Sequence, residues 1–494
     1  MTSLFERVEN NAKMPKAAFN EIASELRLRM VQMQQSLRHA DFPVIVVFAG
    51  VDGAGKSESV QLLNEWMDPR WIVTRAYGKP SEEEAERPEF WRYWRDLPAK
   101  GQFGLYLSAW YSDPLIDKVY KRIGQKKLDA RLAHISKFEQ TLADDGALIL
   151  KFWMHLNKKE QRKWLRKLEN DPHQHWRITA HDWKNWKRYD RFIETAEHII
   201  EQTDCTGAPW RLVDAADPPF RAYTVLTTIE QAVTERIAAD KRKRKPRRIR
   251  KRSKPLDSSV LTRLDLSQTV SRADYGPRLK EQRARLHSLY RRAKAQDLSV
   301  ILAFEGWDAA GKGGAIRRLT AALDARDYQV VPIAAPTDEE RAHHYLWRFW
   351  RRVSRAGRFT IFDRSWYGRL LVEKVEQLID AATYERSFDE IVEFEDQISE
   401  HGILLLKFWL HIDKDEQAAR FEKRKATPYK RWKLTDEDWR NREKWDEYER
   451  CVDEMVRRTS TENSPWTLVE ANDKRHARLK VIETLCERLE ERLK

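Results

Sequence analysis

The chain has 494 residues, of which 34% are charged, and its mean hydropathy is -0.76. That length allows two to four domains with buried cores, and the composition excludes a protein embedded in a membrane. The formal net charge of +14 raises the question of a nucleic-acid ligand, but 11 basic and no acidic residues lie between Lys241 and Lys254, and without them the charge is +3. Because the basic excess belongs mostly to one segment, we expect no nucleic-acid partner.

The N-terminal residues, Met1 to Lys16, lack the apolar core of a signal peptide, and no apolar run approaches membrane-spanning length. We therefore expect a cytoplasmic protein without a membrane partner. The three cysteines, Cys205, Cys451 and Cys486, lack metal-ligand spacing, which favours reduced and inert thiols.

In the first half, a helix predicted at residues 18–37 is followed by an apolar strand and a glycine-rich loop. This first loop (residues 50–56) reads Gly-Val-Asp-Gly-Ala-Gly-Lys. Glycines allow backbone N–H groups to turn toward phosphate oxygens, and a lysine at the start of the next helix supplies a cation. The pattern predicts a phosphate-binding loop.

Shifting the sequence by 256 residues aligns its two halves without a gap over most of their length. Two copies of one domain are therefore predicted, at residues 1–239 and 256–494, joined by a basic linker at 240–255. The linker is either a solvated connector or an arm that attracts polyanions.

In the second copy, a leading amphipathic helix is predicted at residues 278–295. Strands are predicted at 300–304, 329–333, 359–362, 403–409 and 466–469, with helices such as 383–399 and 413–424 between them. Strands that alternate with helices indicate a doubly wound parallel sheet of the α/β class, here duplicated in tandem. The stretch 414–458 has no strand pattern and is interpreted as a helical lid over a phosphate site.

The second loop (residues 306–314) reads Gly-Trp-Asp-Ala-Ala-Gly-Lys-Gly-Gly and follows an apolar strand. We expect Lys312 and the surrounding backbone to bind phosphates. The backbone contacts are expected from Gly306, Ala309, Ala310, Gly311, Gly313 and Gly314. The Ser or Thr that usually follows the lysine and binds Mg²⁺ is absent, so a carboxylate is expected to take that role.

An apolar strand that ends in Asp363-Arg364 is the next chemical signal. A carboxylate at a strand end beside a phosphate loop is suited to Mg²⁺, and Asp308 in the loop supplies another. Arg364 is expected to face the transferred phosphoryl group. The structural alternatives are a strand-end cap for Asp363 and a salt bridge for Arg364.

Basic residues in and after the predicted lid form a third group. Arg420 and Arg424 share a helix face because they are four positions apart. Such cations suit a substrate with many phosphates, although a solvated surface charge is the alternative for each one alone. The group consists of Arg420, Arg424, Lys430, Lys433, Lys474, Arg475 and Arg478. Neighbouring tryptophans are expected in the core, with adenine stacking open for one or two of them.

Three stretches of the second copy together resemble the polyphosphate kinase 2 family: Glu305 to Gly314, Phe362 to Arg369 with Glu373, and Lys430 to Leu434 with Asp473-Lys474. The resemblance implies a P-loop kinase fold like that of thymidylate kinase, Mg²⁺ as cofactor, inorganic polyphosphate as donor and a nucleotide as acceptor. The tandem form implies AMP as acceptor and ADP as product. Arg369 and Glu373 are carried over as supporting residues.

The first copy lacks most of the charges that this chemistry requires. The replacements, with the second copy first, are Asp363 to Leu107, Arg364 to Ser108, Arg420 to Trp164, Arg424 to Leu168, Lys430 to Gln174, Lys474 to Pro218 and Arg475 to Pro219. We therefore expect the first copy to be inactive, as a packing partner or as a holding site for polyphosphate.

The loop and the carboxylates indicate phosphoryl transfer, and the resemblance implies that polyphosphate is the donor and AMP the acceptor. Two enzymatic alternatives stay open: an ATP-dependent P-loop kinase of nucleotides or small molecules, and a polyphosphate-dependent kinase of nucleoside diphosphates. A polyanion-binding module with vestigial loops is the non-enzymatic alternative. The oligomeric state is also open, a homo-oligomer included.

Overall fold

The computed structural model of the chain describes residues 4–9, 12–242, 259–428, 431 and 436–494. Most of the predicted linker, 243–255, lies outside the described residues, as do Lys430 and Lys433. The chain forms two compact units. Unit 1 consists of Met1–Pro80, Arg92–Pro246 and Thr337–His344, and unit 2 of Ser81–Trp91, Arg247–Pro336 and Tyr345–Lys494.

The strands repeat from one copy to the other. The first copy contains β1 Val44–Gly50, β2 Ile72–Ala76, β3 Phe103–Leu107, β4 Leu148–His155 and β5 Trp210–Asp214. The second contains β6 Val300–Gly306, β7 Tyr328–Pro332, β8 Phe359–Asp363, β9 Leu404–His411 and β10 Trp466–Glu470. The two sheets have the equivalent orders β2-β3-β1-β4-β5 and β7-β8-β6-β9-β10, and all their pairings are parallel.

The helices between the strands repeat as well. In the first copy they are α1 Lys16–Leu37, α2 Lys56–Trp66, α3 Glu82–Ala85, α4 Trp91–Arg95, α5 Ser112–Val119, α6 Gln125–Asp144, α7 Lys158–Glu169, α8 Ala180–Trp186, α9 Tyr189–Thr203 and α10 Pro218–Arg242. In the second copy they are α11 Arg272–Ala295, α12 Lys312–Thr320, α13 Asp338–Arg341, α14 Trp347–Trp350, α15 Val372–Val375, α16 Ala381–Glu400, α17 Lys414–Ala426, α18 Asp436–Glu443, α19 Trp445–Thr459 and α20 Lys474–Arg492.

The central strands are buried on both faces, as expected where helices cover both sides of a parallel sheet. From Val300 to Phe304, every residue of β6 is at most 2% exposed. Short polar side chains start the flanking helices: Ser271, Asp413 and Asp473 accept hydrogen bonds from backbone N–H groups in the first turns of α11, α17 and α20. The predicted tandem α/β fold with doubly wound parallel sheets is confirmed.

The predicted lid, residues 414–458, contains α17, α18 and most of α19. Helix α19 buries Trp445, Tyr448, Val452 and Met455 and packs against α15 and α16, so it belongs to the core of unit 2. Side chains of α17 and α18 contact the second loop instead. The lid prediction therefore fits α17 and α18, and it extended too far into α19.

Strand order brings the second loop next to the end of β8, which carries Asp363. Strand β6 lies between β8 and β9, and its residue Phe304 is in register with Asp363 at the end of β8. Because the strands are parallel, the loop after β6 and the end of β8 meet at one edge of the sheet. This is the position at which open α/β sheets bind their ligands.

The structure also bears on membrane-spanning helices and on the cysteines. No helix among the described residues is long and apolar enough to cross a membrane. Cys205, Cys451 and Cys486 all have free thiols, and the last two are buried.

Candidate active site

Glycine gives the second loop a shape that other residues cannot adopt. Gly306 has a φ of +146° and Gly311 a φ of +114°, in the region that side chains disfavour. A Cβ on Gly306 would lie 2.4 Å from the carbonyl oxygen of Leu410. Helix α12 starts immediately after Gly311, so its first backbone N–H groups and its positive dipole end face the loop.

Lys312, the first residue of α12, folds back over the loop. Its Nζ donates to the carbonyl oxygens of Gly306, at 2.6 Å, and Trp307, at 3.3 Å. Burial lowers the pKa of Lys312, and the nearby carboxylate of Asp308 opposes that effect. Two loop carbonyls thus hold the ammonium group at the loop, where a bound phosphate group would find a cation.

Asp308 projects from the loop and is held on both oxygens. Its Oδ1 accepts from Arg364 Nη2 at 3.1 Å, and its Oδ2 accepts from Asn441 Nδ2 at 3.0 Å. Burial alone would raise the pKa of Asp308, but the charges of Lys312, Arg364 and Arg424 and the hydrogen bond from Asn441 together lower it. The side chain is therefore a carboxylate at neutral pH.

Asp363 and Arg364 stand at the end of β8. Asp363 Oδ2 lies 3.8 Å from the place where a Cβ on Gly313 would stand, so the carboxylate is next to the start of α12. Arg364 has a φ of +67°, which is unusual for a residue with a side chain. This turn directs its guanidinium group to Asp308, and the arginine side chain keeps 46% of its surface exposed.

Two carboxylates beside the loop, Asp308 and Asp363, are the candidates for holding a divalent cation. No group of three or more His, Cys, Asp or Glu side chains suited to a metal ion occurs in the described part of the chain. Mg²⁺ in phosphoryl-transfer sites commonly has one or two carboxylates, with water and substrate phosphates as its other ligands. Two loop-side carboxylates fit that kind of site.

Glu305 was not predicted as a site residue. It immediately precedes the second loop and is 5% exposed, and its Oε1 accepts from Ser365 N at 2.7 Å and from Ser365 Oγ at 2.8 Å. Burial raises its pKa against the opposing charge of Lys312. The available signal was a carboxylate inside an apolar strand, aligned with Ala49 in the first copy.

Buried aromatic residues hold the second loop at Trp307. Trp307 stacks on Trp445 with ring centroids 3.6 Å apart, and its Nε1 donates to His411 Nδ1 at 3.0 Å. Burial lowers the pKa of His411 to about 4, so this histidine is neutral and can accept the bond. The histidine thus supports the loop.

Arg420 lies behind the loop and is 4% exposed. Its Nη1 donates to the carbonyl oxygens of Ala309 and Ala310 at 2.9 and 2.8 Å. Its Nη2 donates to those of Ala471 and Asn472 at 2.6 and 2.8 Å. The sequence prediction put Arg420 among the cations that face the substrate. In the structure its guanidinium group instead joins the loop to the residues after β10 by hydrogen bonds to their carbonyl oxygens.

The other predicted cations are more accessible. Lys474 has 42% of its side chain exposed and lies 4.0 Å from Glu416, and Arg475 pairs with Asp473 at 3.3 Å. Arg424 is close enough to Asp308 to help lower that pKa. Arg478, which the sequence grouped with these cations, lies 3.5 Å from the place where a Cβ on Gly314 would stand.

Arg369 and Glu373 form an ion pair of 2.6 Å with each other. The guanidinium group of Arg369 also lies 4.4 Å from the centre of the Tyr345 ring. These contacts suit the supporting role that was predicted for the pair.

Most of the tryptophans near the predicted cations are core residues. Trp347, Trp350, Trp409 and Trp445 are at most 5% exposed. Trp439 on α18 is 38% exposed, with one edge against Phe421. Adenine stacking by one of these residues stays a prediction.

The first loop has a similar backbone and different neighbours. Lys56 Nζ donates to the carbonyl oxygens of Gly50 and Val51, at 2.8 and 2.9 Å, as Lys312 does in the second copy. The guanidinium group of Arg221 fills the space where a Cβ on Gly55 would stand. Asp52 has 56% of its side chain exposed and lies 3.7 Å from Lys56.

Comparisons with known proteins agree with this geometry. The model of the family described as Polyphosphate kinase 2 matches residues 13–243 and 269–494. A polyphosphate:AMP phosphotransferase of Pseudomonas aeruginosa is 47% identical over 494 residues, which cover 99% of each chain. One of Acinetobacter johnsonii is 35% identical over 483 residues, which cover 96% of this chain and 97% of that protein.

A solved structure is similar over the same extent. The crystal structure of a Pseudomonas aeruginosa protein described as a polyphosphate kinase 2 superposes with a TM-score of 0.89. It is 46% identical, and the match covers 99% of each chain.

Proposed function

We propose that this chain, which belongs to the polyphosphate kinase 2 family, transfers the terminal phosphoryl group of inorganic polyphosphate to AMP and forms ADP. An oxygen of the AMP phosphate attacks the terminal phosphorus, the P–O bond to the rest of the chain breaks, and polyphosphate leaves shortened by one unit. The attacking oxygen belongs to AMP, so the enzyme needs no nucleophilic side chain. Catalysis then depends on positioning and on neutralising charge.

The observation that carries the proposal is the convergence of the second loop with the end of β8. Lys312 and the N–H groups at the start of α12 are placed to bind donor phosphates. Arg364 is held next to Asp308 and has 46% of its side chain exposed, which suits a role at the transferred group. The accessible cations Lys474 and Arg475 suit the rest of a long anionic chain.

We propose Mg²⁺ as the cofactor, held by Asp308 and Asp363. When bound, the ion neutralises phosphate charge during transfer. Asp308 is kept ionised by Lys312 and Arg364, so it is ready to bind a cation at neutral pH. Asn441 and Arg364 orient its two oxygens.

The proposed reaction is tested by mixing the protein with AMP, polyphosphate and Mg²⁺ without ATP. ADP should appear in proportion to the phosphate lost from polyphosphate. If no ADP forms, while ATP supports phosphorylation of AMP, the protein is an ATP-dependent P-loop kinase instead. Formation of ATP from ADP, with no ADP from AMP, would select the nucleoside diphosphate alternative.

Turnover is assigned to the second copy alone. The first copy has Leu107 and Ser108 where the second has Asp363 and Arg364. In addition, Trp164 and Arg221 pack directly on its loop, against Gly53 and Gly55. These neighbours favour a packing role for the first copy over the storage of polyphosphate.

The proposed setting of the reaction is the cytoplasm. The three free thiols suit a reducing compartment, and AMP is a nucleotide of the cell interior. The absence of a nucleic-acid partner and the oligomeric state stay predictions.

A further inference from the structure

Glu305 and Ser365 form a buried polar pair just behind the catalytic groups. The two residues are 5% and 1% exposed. Glu305 precedes Gly306 of the second loop, and Ser365 follows Arg364 at the end of β8. The pair therefore joins the phosphate-binding loop to the segment that carries Asp363 and Arg364.

Each hydrogen bond of the pair constrains that segment. Glu305 Oε1 accepts from both the backbone N and the Oγ of Ser365. Ser365 Oγ in turn accepts from Tyr367 N at 3.3 Å, which starts the short helical turn Trp366–Arg369. One carboxylate oxygen of Glu305 thus holds both the backbone N–H and the side chain of the residue that follows Arg364.

The first copy provides an internal comparison. Glu305 is replaced by Ala49 and Ser365 by Ala109, so both partners are absent together. Removing one buried partner leaves the other unsatisfied, whereas replacing both by apolar groups can be nearly neutral. The loss of the whole pair is thus what is expected where its hydrogen bonds are no longer needed.

A second buried network, unlike the Glu305–Ser365 pair, occurs in both copies. Lys407 Nζ bonds to Glu395 at 2.7 Å and to Tyr367 at 3.0 Å. The first copy repeats these bonds at the same distances between Lys151, Glu139 and Tyr111. This network is kept in both copies and supports the fold, whereas the Glu305–Ser365 pair occurs with Asp363 and Arg364 only.

We infer that Glu305 and Ser365 are positioning residues for phosphoryl transfer, which hold Asp363 and Arg364 at the second loop. At 5% and 1% exposure, neither side chain is accessible to a substrate. The inference rests on the proposed function of the same site. Its chemical basis is hydrogen bonding by Glu305 Oε1, which an amide oxygen can reproduce.

The test compares Glu305→Ala, Ser365→Ala, the double variant and Glu305→Gln in the full-length protein with AMP, polyphosphate and Mg²⁺. For both alanine variants kcat should fall about 10-fold to 100-fold, as when other groups that orient metal ligands are removed. The KM for polyphosphate should stay within about twofold of the wild type, because the substrate-binding cations are intact. The double variant should lose no more than Glu305→Ala, because that change already removes both hydrogen bonds and Ser365→Ala removes only the Oγ bond.

Glu305→Gln should stay within about threefold of the wild-type kcat, because its amide oxygen accepts the same two bonds. The matched control is Ala109→Ser, which adds only the hydroxyl at the equivalent position of the first copy and should leave kcat unchanged. Wild-type kcat in both alanine variants would overturn the inference. So would a Gln variant as slow as the Ala variant, or losses that disappear when Tm is restored by a stabilising osmolyte.

The wild-type reaction keeps this test separate from the proposed function. If the wild type forms no ADP, the proposed function fails. If it forms ADP and the variants match it, only the positioning role fails.

Discussion

The two glycine-rich loops have the same lysine geometry and very different surroundings. In both, the lysine donates to two loop carbonyls, and a glutamine side chain donates to the carbonyl of the loop aspartate at 3.2 Å. In the second copy, Asp308 is bound by Arg364 and Asn441, whereas Asp52 remains 56% exposed. The comparison shows that the loop backbone and the charges around it are separable features.

The position of Arg364 illustrates this separation. Arg364 has a φ of +67°, and Ser108, its counterpart, has a φ of +51°. The uncommon backbone turn is thus kept although the guanidinium group is gone. The fold dictates the turn, and the second copy uses it to direct a charge at Asp308.

The arginine behind the loop shows how neighbours change together. Arg420 lies against Ala309 in the second copy, and Trp164 takes its position in the first. A Cβ on Gly53, the counterpart of Ala309, would lie 2.5 Å from the Trp164 ring. Glycine in the first loop therefore makes room for an apolar ring where the second loop has a buried cation.

Both copies contain the buried lysine–glutamate pair, and its removal should destabilise either copy strongly. Lys407→Met and Lys151→Met should each lower the free energy of unfolding by roughly 3–5 kcal/mol, because each leaves a fully buried glutamate without its cation. Urea unfolding of the two variants measures the effect. A large loss in one copy and none in the other would contradict the view that this network is purely structural.

Removal of the Asp363 carboxylate should lower turnover, whereas the equivalent change in the first copy should not. Asp363→Ala should lower kcat with AMP and polyphosphate by about 100-fold or more, about 3 kcal/mol, as for other groups that stabilise transition-state charge. Leu107→Ala, at the equivalent place in the first copy, is the control and should keep near wild-type turnover. The rates of steady-state ADP formation by the two variants are compared at saturating Mg²⁺. Equal rates would show that Asp363 is not part of the active site.

A smaller effect is expected from pH at the accessible cations. Burial, followed by the charge of Arg420, lowers the pKa of Lys474 to about 8. Its positive charge is therefore present below pH 8 and is lost as the pH rises through that value. From pH 7 to pH 9, the KM for polyphosphate should rise about twofold more in the wild type than in Lys474→Arg, which stays charged.

The pH comparison needs kcat/KM profiles of both proteins, which report the free enzyme. Identical profiles would show that Lys474 does not contact the anionic chain before transfer.

Much of the fold followed from the sequence because strand periodicity and parallel topology are strong constraints. The predicted strands 300–304 and 466–469 begin at the residues where β6 and β10 begin. The meeting of Asp363 with the second loop also followed, since parallel strands bring their carboxyl ends to one edge.

The sequence failed where a residue's partner, rather than its spacing, decides its role. Arg420 and Arg424 lie four positions apart in α17, as the helical spacing predicted, but spacing cannot tell whether a guanidinium group meets phosphate or loop carbonyls. Glu305 was missed because a single acidic residue in an apolar strand gives no periodic signal. Its bond to Ser365 joins positions 60 residues apart in the chain.

Variants of the two loop lysines test whether only the second copy turns over. Lys312→Ala and Lys56→Ala remove the same group from loops of similar backbone. With AMP, polyphosphate and Mg²⁺ and without ATP, Lys312→Ala should lose at least about 100-fold in kcat, while Lys56→Ala keeps most of it. Comparable losses of kcat in the two variants would show that both copies contribute to turnover.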